Sequence, residues 1–204
     1  MEVLCFDLEG VFVPEIWINV AAHTGVEALK LTTRDVPDYD ELMTYRLRTL
    51  DDHGLGIAEI QSVIASMEPM PGAREFLEWT HENFQVVILS DTFYQFAEPL
   101  MRQLGFPTLF CHNLEIGENN RIVDYHLRLP RQKEAAIRAF QGLNFTVFAV
   151  GDSYNDTGML LAAEHGFLFK PPQNVIDEFP QLPVVTSYDQ LKTQLIEASS
   201  REIA

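Results

Sequence analysis

Apolar residues follow two patterns along the chain, and each pattern predicts a different kind of element. Short continuous apolar runs at residues 3–8, 84–89 and 145–150 have the length of buried strands. From about residue 70 onward such runs alternate with segments of helical spacing, which predicts a mostly parallel, Rossmann-like α/β sheet with helices on both faces. The remaining predicted elements are helices at 73–82, 93–104, 133–141, 157–164, after Pro172 and at 188–198, strands at 108–111, 166–169 and 183–186, and a hairpin turn at 117–120.

The segment after the first strand breaks this alternation. Its apolar residues, such as Ile57 and Ile60, recur at helical spacing without an intervening strand. We therefore predict a small helical cap at residues 14–69, inserted after the first strand. Residues 1–13 and 70–204 would form the α/β core, and the two parts would make one compact unit.

Composition and charge limit the classes of function. The 204 residues are 47% hydrophobic, which is enough to bury a full core, and the net charge of −16 argues against nucleic acid as a partner. No apolar run approaches the roughly 18 residues of a membrane span, and the N-terminus lacks a signal-peptide pattern. We expect a cytoplasmic protein that acts on small molecules, as a monomer or a homodimer, with Cys5 and Cys111 as reduced core residues.

Polar residues follow several of the predicted strands or begin a helix, where the ligand sites of parallel α/β sheets lie. Individually each has an ordinary explanation, since an acid or a serine there can cap a helix and a lysine can face solvent. Together they bring carboxylates from separate strands to one edge of the sheet. These residues are Asp7, Glu9, Ser90, Asp91, Lys133 and the segment Gly151-Asp152-Ser153-Tyr154-Asn155-Asp156.

Clustered carboxylates are costly to bury unless a cation joins them. Asp7 and Asp152 offer hard oxygen ligands, and the six histidines show no metal-ligand spacing. Mg²⁺ is the cation that suits such a site, because it binds one or two carboxylates together with phosphate oxygens.

In this order the motifs resemble those of the haloacid dehalogenase-like hydrolases. Asp7-Leu8-Glu9-Gly10 matches motif I, Ser90 motif II, Lys133 motif III and the segment 151–156 motif IV, so the resemblance spans nearly the whole chain. It implies that Asp7 is the nucleophile of an aspartyl-phosphate intermediate and that Glu9 is the general acid and base.

The same resemblance implies roles for the other residues of the site. Asp7, Glu9 and Asp152 would bind Mg²⁺, Glu9 by either its side chain or its backbone carbonyl. Ser90 and Lys133 would stabilise the phosphoryl group, and Asp91 and Asn155 would contact substrate. Asp156 would orient Lys133 or a metal-bound water.

One position departs from the family pattern. The phosphatases of the family usually carry aspartate two residues after the nucleophile, whereas this chain has Glu9. The longer side chain displaces the carboxyl by about 1 Å, which would position a small water less well than a bound alcohol. Phosphoryl transfer to an alcohol is therefore a plausible second reaction.

The cap resembles that of phosphoserine phosphatases within the family. Glu15 matches the acid that holds the substrate ammonium, and Arg46, with Arg48 as the second candidate, matches the arginine that binds the carboxylate. Arg46 could instead extend along the apolar face of a helix. With Glu9, the pattern resembles the bifunctional bacterial phosphoserine phosphatases that also transfer phosphate to L-homoserine.

Other functions stay open at this point. A phosphatase of a sugar phosphate or a nucleoside monophosphate is the nearest alternative. A signalling receiver domain would also phosphorylate an aspartate beside Mg²⁺, but its motif order differs from the one found here. A binding module without activity is disfavoured, because every catalytic position holds a competent residue.

Overall fold

The computed structural model describes residues 1–32, 35–36 and 38–203. Residues 33, 34 and 37 of the predicted cap, and residue 204 of the predicted core, lie outside the described part. The described residues form a seven-stranded sheet in the order β4-β3-β2-β1-β5-β6-β7, in which only β4 is antiparallel to its neighbour. The strands are β1 (Glu2–Phe6), β2 (Gln85–Phe93), β3 (Leu109–Ile116), β4 (Ile122–His126), β5 (Thr146–Gly151), β6 (His165–Phe169) and β7 (Val184–Val185).

Helices cover both faces of the sheet, which confirms the predicted fold class. Residues along β1 alternate between the faces: Leu4 and Phe6 pack into one apolar cluster, and Val3 and Cys5 into the other. The α-helices are α1 (Ile16–Thr24), α2 (Tyr39–Asp52), α3 (Ile57–Ala65), α4 (Ala73–Asn83), α5 (Tyr94–Gln103), α6 (Gln132–Gly142), α7 (Thr157–Ala162), α8 (Gln173–Glu178) and α9 (Tyr188–Ala198).

Helices α1, α2 and α3 occupy the segment predicted to be a cap. A backbone hydrogen bond from Met70 N–H to the Phe12 carbonyl, at 2.8 Å, brings the two ends of this segment together. The larger apolar cluster runs without a break from β1 into α1 and α3, so the inserted helices pack directly on the sheet domain. The boundaries at residues 13 and 70 stay a prediction. Among the described residues, no helix is long and apolar enough to cross a lipid bilayer.

Three strands differ clearly in length from the prediction, and the change in β2 affects the site. Strand β3 runs on to Ile116, whereas the sequence pattern predicts its end at Cys111. Strand β2 continues to Phe93 instead of ending at Leu89, because its pairing with β3 shifts register between these residues while the backbone stays extended. Ser90 and Asp91 therefore lie within the last residues of a strand and not after it. Strand β7 is only two residues long, whereas the sequence pattern predicts a strand over residues 183–186. The predicted hairpin joins β3 to β4.

Candidate active site

The carboxyl ends of β1, β2 and β5 meet at a cavity of about 220 Å³ that is closed on the other side by α1 and α2. This arrangement places the predicted residues together although they come from distant parts of the chain. Asp156 does not line the cavity and lies beneath it. The predicted residues that line the cavity are Asp7, Glu9, Glu15, Arg46, Ser90, Asp91, Lys133, Asp152 and Asn155.

Asp7 follows the last residue of the central strand. Its backbone N–H donates to the Val150 carbonyl at 2.9 Å, which continues the pairing of β1 with β5 and fixes the main chain. The Oδ1 atom of Asp7 accepts hydrogen bonds from the Leu8 N–H and from Lys133 Nζ, each at 2.8 Å. The side chain is thus held at the floor of the cavity, with one oxygen in a fixed position.

Lys133 lies in the first turn of α6 and is buried among carboxylates. Its Nζ is 2.8 Å from Asp7 Oδ1, 2.8 Å from Asp156 Oδ1 and 3.6 Å from Asp91 Oδ2. Burial by itself would lower the pKa of the ammonium, but Asp156, Asp7 and Asp91 outweigh it and hold that pKa well above its ordinary value. Lys133 is therefore a permanent positive charge beside Asp7.

Asp156 is fully buried and both of its oxygens are occupied. Oδ1 accepts from Lys133, and Oδ2 accepts from the backbone N–H groups of Asp152 and Ser153 at 3.0 and 3.1 Å. The close packing needs a glycine at position 151, since a Cβ there would lie 2.4 Å from the Asp156 side chain. This geometry suits the predicted supporting role, in which Asp156 orients Lys133.

Three carboxylates could hold a metal ion. Oxygen atoms of Asp7, Asp152 and Asp156 lie within 4.8 Å of one another. Burial and repulsion by Asp156 raise the pKa of Asp7 well above its ordinary value, although Lys133 attracts the carboxylate and acts in the opposite direction. Burial and the negative charges of Asp156 and Glu15 raise the pKa of Asp152 to about 7. A set of hard oxygen donors whose charges repel one another fits Mg²⁺.

Gly10 of the first motif makes room for this cluster. Its φ of +75° is accessible to glycine at little cost, and a Cβ at this position would lie 2.4 Å from Asp152 Cγ. Because Asp152 has space only where Gly10 has no side chain, the first and fourth motifs depend on each other sterically.

Glu9 points away from the carboxylate cluster. Its Oε2 accepts a hydrogen bond from the Ile16 N–H at 2.8 Å, at the start of α1. Burial and the nearby charge of Glu15 raise the pKa of Glu9 to about 8, although the Ile16 N–H, Lys133 and Arg46 act in the opposite direction. At neutral pH the carboxyl is therefore largely protonated and able to donate a proton. The side chain of Glu9 is not one of the three carboxylates that approach one another closely.

The opposite side of the cavity carries a buried arginine. Arg46 is 7% exposed, its Nη2 donates to the Leu31 carbonyl at 2.8 Å, and its Cζ lies 4.5 Å from the centre of the Trp17 ring. Its Nε has no hydrogen-bond partner, and no carboxylate in the described part of the chain forms an ion pair with it. Burial lowers the pKa of Arg46 to about 10. Arg48, in contrast, is exposed.

Some residues of this region were not found by sequence reasoning. Trp17 and Tyr39 line the cavity, while His112 and Gln132 lie directly behind Asp91. A weak signal existed for two of them, since Gln132 precedes the motif lysine and His112 interrupts an apolar strand. Trp17 and Tyr39 had no comparable signal, because aromatic residues at helical spacing are usually core residues.

Comparison with known proteins agrees with this geometry. The profile of the haloacid dehalogenase-like hydrolase family matches residues 1–164, and the chain belongs to this family. The chain is 58% identical over 204 residues to the phosphoserine phosphatase ThrH of Pseudomonas aeruginosa, covering all of both chains. It is 57% identical over 203 residues to a phosphoserine phosphatase of Pseudomonas syringae pv. tomato, covering all of this chain and 86% of the relative.

Solved structures of the same fold are more distant in sequence. A phospho-aspartyl intermediate analogue of a phosphoserine phosphatase superposes with a TM-score of 0.77 at 18% identity, over 95% of this chain and 98% of that one. A phosphoserine phosphatase from T. onnurineus superposes with a TM-score of 0.71 at 23% identity, over 95% and 94%. These similarities establish the fold of the chain.

Proposed function

We propose that this protein is a Mg²⁺-dependent phosphatase of O-phospho-L-serine that works through an aspartyl-phosphate on Asp7, and that it can also transfer the phosphoryl group to L-homoserine. The names of the two Pseudomonas relatives, at 58% and 57% identity over essentially the whole chain, support the substrate. The proposed partners are these small molecules, in a monomer or a homodimer.

The proposal rests on one observation: groups suited to a phosphoryl group and a group suited to a carboxylate lie at opposite ends of the same cavity. The Asp7–Lys133 end offers a nucleophile and a cation for a phosphoryl group. The Arg46 end offers a buried guanidinium that forms no ion pair within the described part of the chain and whose Nε has no hydrogen-bond partner there. A substrate that satisfies both ends carries a phosphate and a carboxylate a few atoms apart. Glu15, at the rim of the same cavity, would bind its ammonium.

The first step would transfer the phosphoryl group to the enzyme. The Asp7 carboxylate attacks phosphorus, the bond from phosphorus to the serine oxygen breaks, and Glu9 donates its proton to that oxygen. Ser90 and Lys133 bind the equatorial oxygens. Magnesium held by Asp7 and Asp152, and by Glu9 through its backbone carbonyl, would neutralise part of the charge of the transferred group.

The second step would release the phosphoryl group from Asp7. The Glu9 carboxylate takes a proton from water or from the homoserine hydroxyl, whose oxygen then attacks phosphorus and frees the Asp7 carboxylate. Serine and homoserine share the amino-acid head group, so the same Glu15 and Arg46 contacts would hold either one. Bound homoserine at millimolar concentration could then compete with water at about 55 M, because anchoring raises its effective concentration.

A nucleotide substrate is less consistent with the cavity. Aromatic rings that stack on a base need a free face, but the Trp17 ring is covered by Arg46 and packs edge-on against Phe96. Tyr39 packs edge-on against Tyr125. The third aromatic residue of the cavity, Tyr154, packs edge-on against Phe179. All three aromatic residues are therefore used within the protein.

The test is the fate of phosphate from phosphoserine. With Mg²⁺ alone we expect free phosphate, and with added L-homoserine we expect phosphohomoserine as well, both measured by phosphorus NMR. Glu9→Asp should shift the ratio toward free phosphate, since the shorter side chain places its carboxylate where it positions a water molecule better. Failure to release phosphate from phosphoserine would refute the proposed substrate, and absence of phosphohomoserine would refute the transferase activity alone.

A further inference from the structure

Two buried polar side chains lie behind Asp91 and do not line the cavity proposed to bind substrate. His112 and Gln132 instead line a neighbouring cavity of about 480 Å³, and Asp91 and Lys133 are shared by the two cavities. His112 is 4% exposed and Gln132 is 2% exposed. Polar groups buried this deeply are costly unless they are hydrogen-bonded, so their partners indicate what they do.

Gln132 joins the second motif to the third. Its Nε2 donates a hydrogen bond to the Ser90 carbonyl and another, at 3.2 Å, to Asp91 Oδ1. Its backbone leads directly into Lys133 at the start of α6. One side chain thus fixes the end of β2, which carries Ser90 and Asp91, to the turn that carries Lys133.

Arg128 determines the orientation of both buried side chains. Its guanidinium donates to Gln132 Oε1 at 2.9 and 3.2 Å, which leaves the amide nitrogen to face Ser90 and Asp91. Its backbone N–H donates to His112 Nδ1 at 3.1 Å, so Nε2 carries the ring proton. That proton faces Asp91 Oδ1, with 3.6 Å between the heavy atoms.

These contacts hold Asp91 in a particular place. Oδ1 faces Gln132 and His112, and Oδ2 lies 3.6 Å from Lys133 Nζ. Burial would raise the pKa of Asp91, but Lys133, the nearby His112 and the hydrogen bond from Gln132 hold it well below its ordinary value, so the side chain stays an anion. A free carboxylate at this position could rotate toward the phosphoryl site, where it would repel the phosphate and draw Lys133 away.

We propose that Gln132 and His112, both oriented by Arg128, are positioning residues that act on the reaction through Asp91, keeping its carboxylate against Lys133 and out of the phosphoryl site. This inference rests on the proposed function for the role of Lys133. It requires no contact between either residue and the substrate.

The first test compares substitutions of similar size. Gln132→Met should lower kcat roughly tenfold to a hundredfold with a change of less than about threefold in KM, because it removes the hydrogen bonds to Ser90 and Asp91 but keeps the volume. Gln141→Met is the matched control. Gln141 lies on the same helix and donates to the Ala162 carbonyl and to Glu164 at 2.8 and 2.9 Å, away from the site.

His112 allows a rescue experiment. His112→Leu should lower kcat roughly tenfold, whereas His112→Gln should recover it to within about threefold of the wild type, since glutamine can accept from Arg128 and donate to Asp91. Equal loss in both variants would assign His112 to packing and overturn its positioning role.

A double-mutant cycle tests the route through Asp91. In an Asp91→Asn background, His112→Leu should change kcat by less than about twofold, because the carboxylate that His112 positions is gone. Gln132→Met should lower kcat clearly less than it does in the wild-type background, because only its hydrogen bond to the Ser90 carbonyl is still lost. Losses that multiply independently would overturn the inference. Should His112→Leu fail to fold, the Gln132 cycle and His112→Gln decide the result.

Measuring every variant on phosphoserine and on p-nitrophenyl phosphate separates this inference from the proposed function. Lys133 acts on the phosphoryl group that both substrates share, so the relative losses in kcat should agree. If the wild type hydrolyses only p-nitrophenyl phosphate, phosphoserine is the wrong substrate, and the cycle on p-nitrophenyl phosphate still decides the role of Gln132 and His112.

Discussion

Replacing Arg46 by methionine should weaken the recognition of phosphoserine and at the same time stabilise the free protein. The guanidinium is buried, and its Nε has no hydrogen-bond partner among the residues that the structure describes. Its Nη2 donates to the Leu31 carbonyl at 2.8 Å. Methionine has a similar length, carries no charge and can still pack on the Trp17 ring. The substitution therefore removes charge and hydrogen bonding with little change in volume.

The gain in stability follows from the cost of burying the charge. Burial lowers the pKa of Arg46 from 12.5 to about 10. Near neutral pH arginine is protonated in both the folded and the unfolded state, so the lowered pKa is a penalty of about 3 kcal/mol on the folded state. Loss of the hydrogen bond to Leu31 offsets about 1 kcal/mol. The net gain of about 2 kcal/mol corresponds to a rise in Tm of roughly 4–8 °C for a chain of this size.

The loss of activity follows from the contact that the substrate would make. A charge-assisted contact between guanidinium and carboxylate contributes about 1.5–3 kcal/mol, so kcat/KM for phosphoserine should fall roughly tenfold to a hundredfold. Phosphoethanolamine has the phosphate and the ammonium but no carboxylate. Its kcat/KM should change by less than about twofold, because phosphoethanolamine has no carboxylate with which Arg46 could interact.

The assay measures thermal unfolding without substrate and initial rates on both substrates. Arg48→Met is the control, since Arg48 lies on the same helix but is exposed, and it should change neither Tm nor kcat/KM measurably. A lower Tm for Arg46→Met would show that the guanidinium has a stabilising partner and would refute the energetic argument. Equal losses on phosphoserine and phosphoethanolamine would refute the assignment of Arg46 to the carboxylate.

Three further predictions concern the nucleophile, the metal and the chain terminus. Asp7→Asn should keep the fold and lower kcat by several orders of magnitude, and a residual activity above a few per cent of the wild type would contradict its role. The pKa of Asp152 is raised to about 7 without metal, so below that pH magnesium must displace a proton to bind it. Excess Mg²⁺ should therefore raise Tm more at pH 8 than at pH 6. Equal rises at the two pH values would exclude Asp152 as a ligand. Hydrogen bonds that Glu2 accepts from Arg201, Ser200 and Ser199 lower its pKa to about 2, although burial acts in the opposite direction. Ionised Glu2 therefore stabilises the folded state above its ordinary pKa of 4.5, and this stability is lost as the pH falls toward 2. Glu2→Gln should therefore lower the free energy of unfolding by about 1–2 kcal/mol at pH 7 and by nearly nothing near pH 2, as measured by urea unfolding.

Local patterns in the sequence determined much of the fold. The apolar runs and helical periods predicted the alternating core elements, and the motif residues predicted which strand ends form the site. This succeeds because strand burial and helix amphipathicity are properties of a few neighbouring residues. In a parallel sheet the carboxyl ends of the strands also share one edge, so motif residues at several strand ends, such as Asp7, Ser90 and Asp152, are expected on the same side of the sheet.

The exact end of β2 depended on tertiary structure. Residues after Leu89 are polar, which in the sequence indicates that a strand has ended, yet the backbone continues to Phe93 beside β3. Pairing with β3 at Leu89 and again at Phe93 holds the two ends of this polar stretch. A partner distant in sequence cannot be read from the residues of β2 themselves.

Only the fold decided what surrounds the motif residues. Arg128, Gln132 and His112 meet behind Asp91 because β3 lies next to β2, and the segment that follows the β3–β4 hairpin leads into α6. Arg46 forms no ion pair with any described residue because α2 places its guanidinium against Trp17 of α1. The sequence determines which side chains can do chemistry, whereas the packing of elements distant in sequence determines the charge and the hydrogen-bond partners that each of them has.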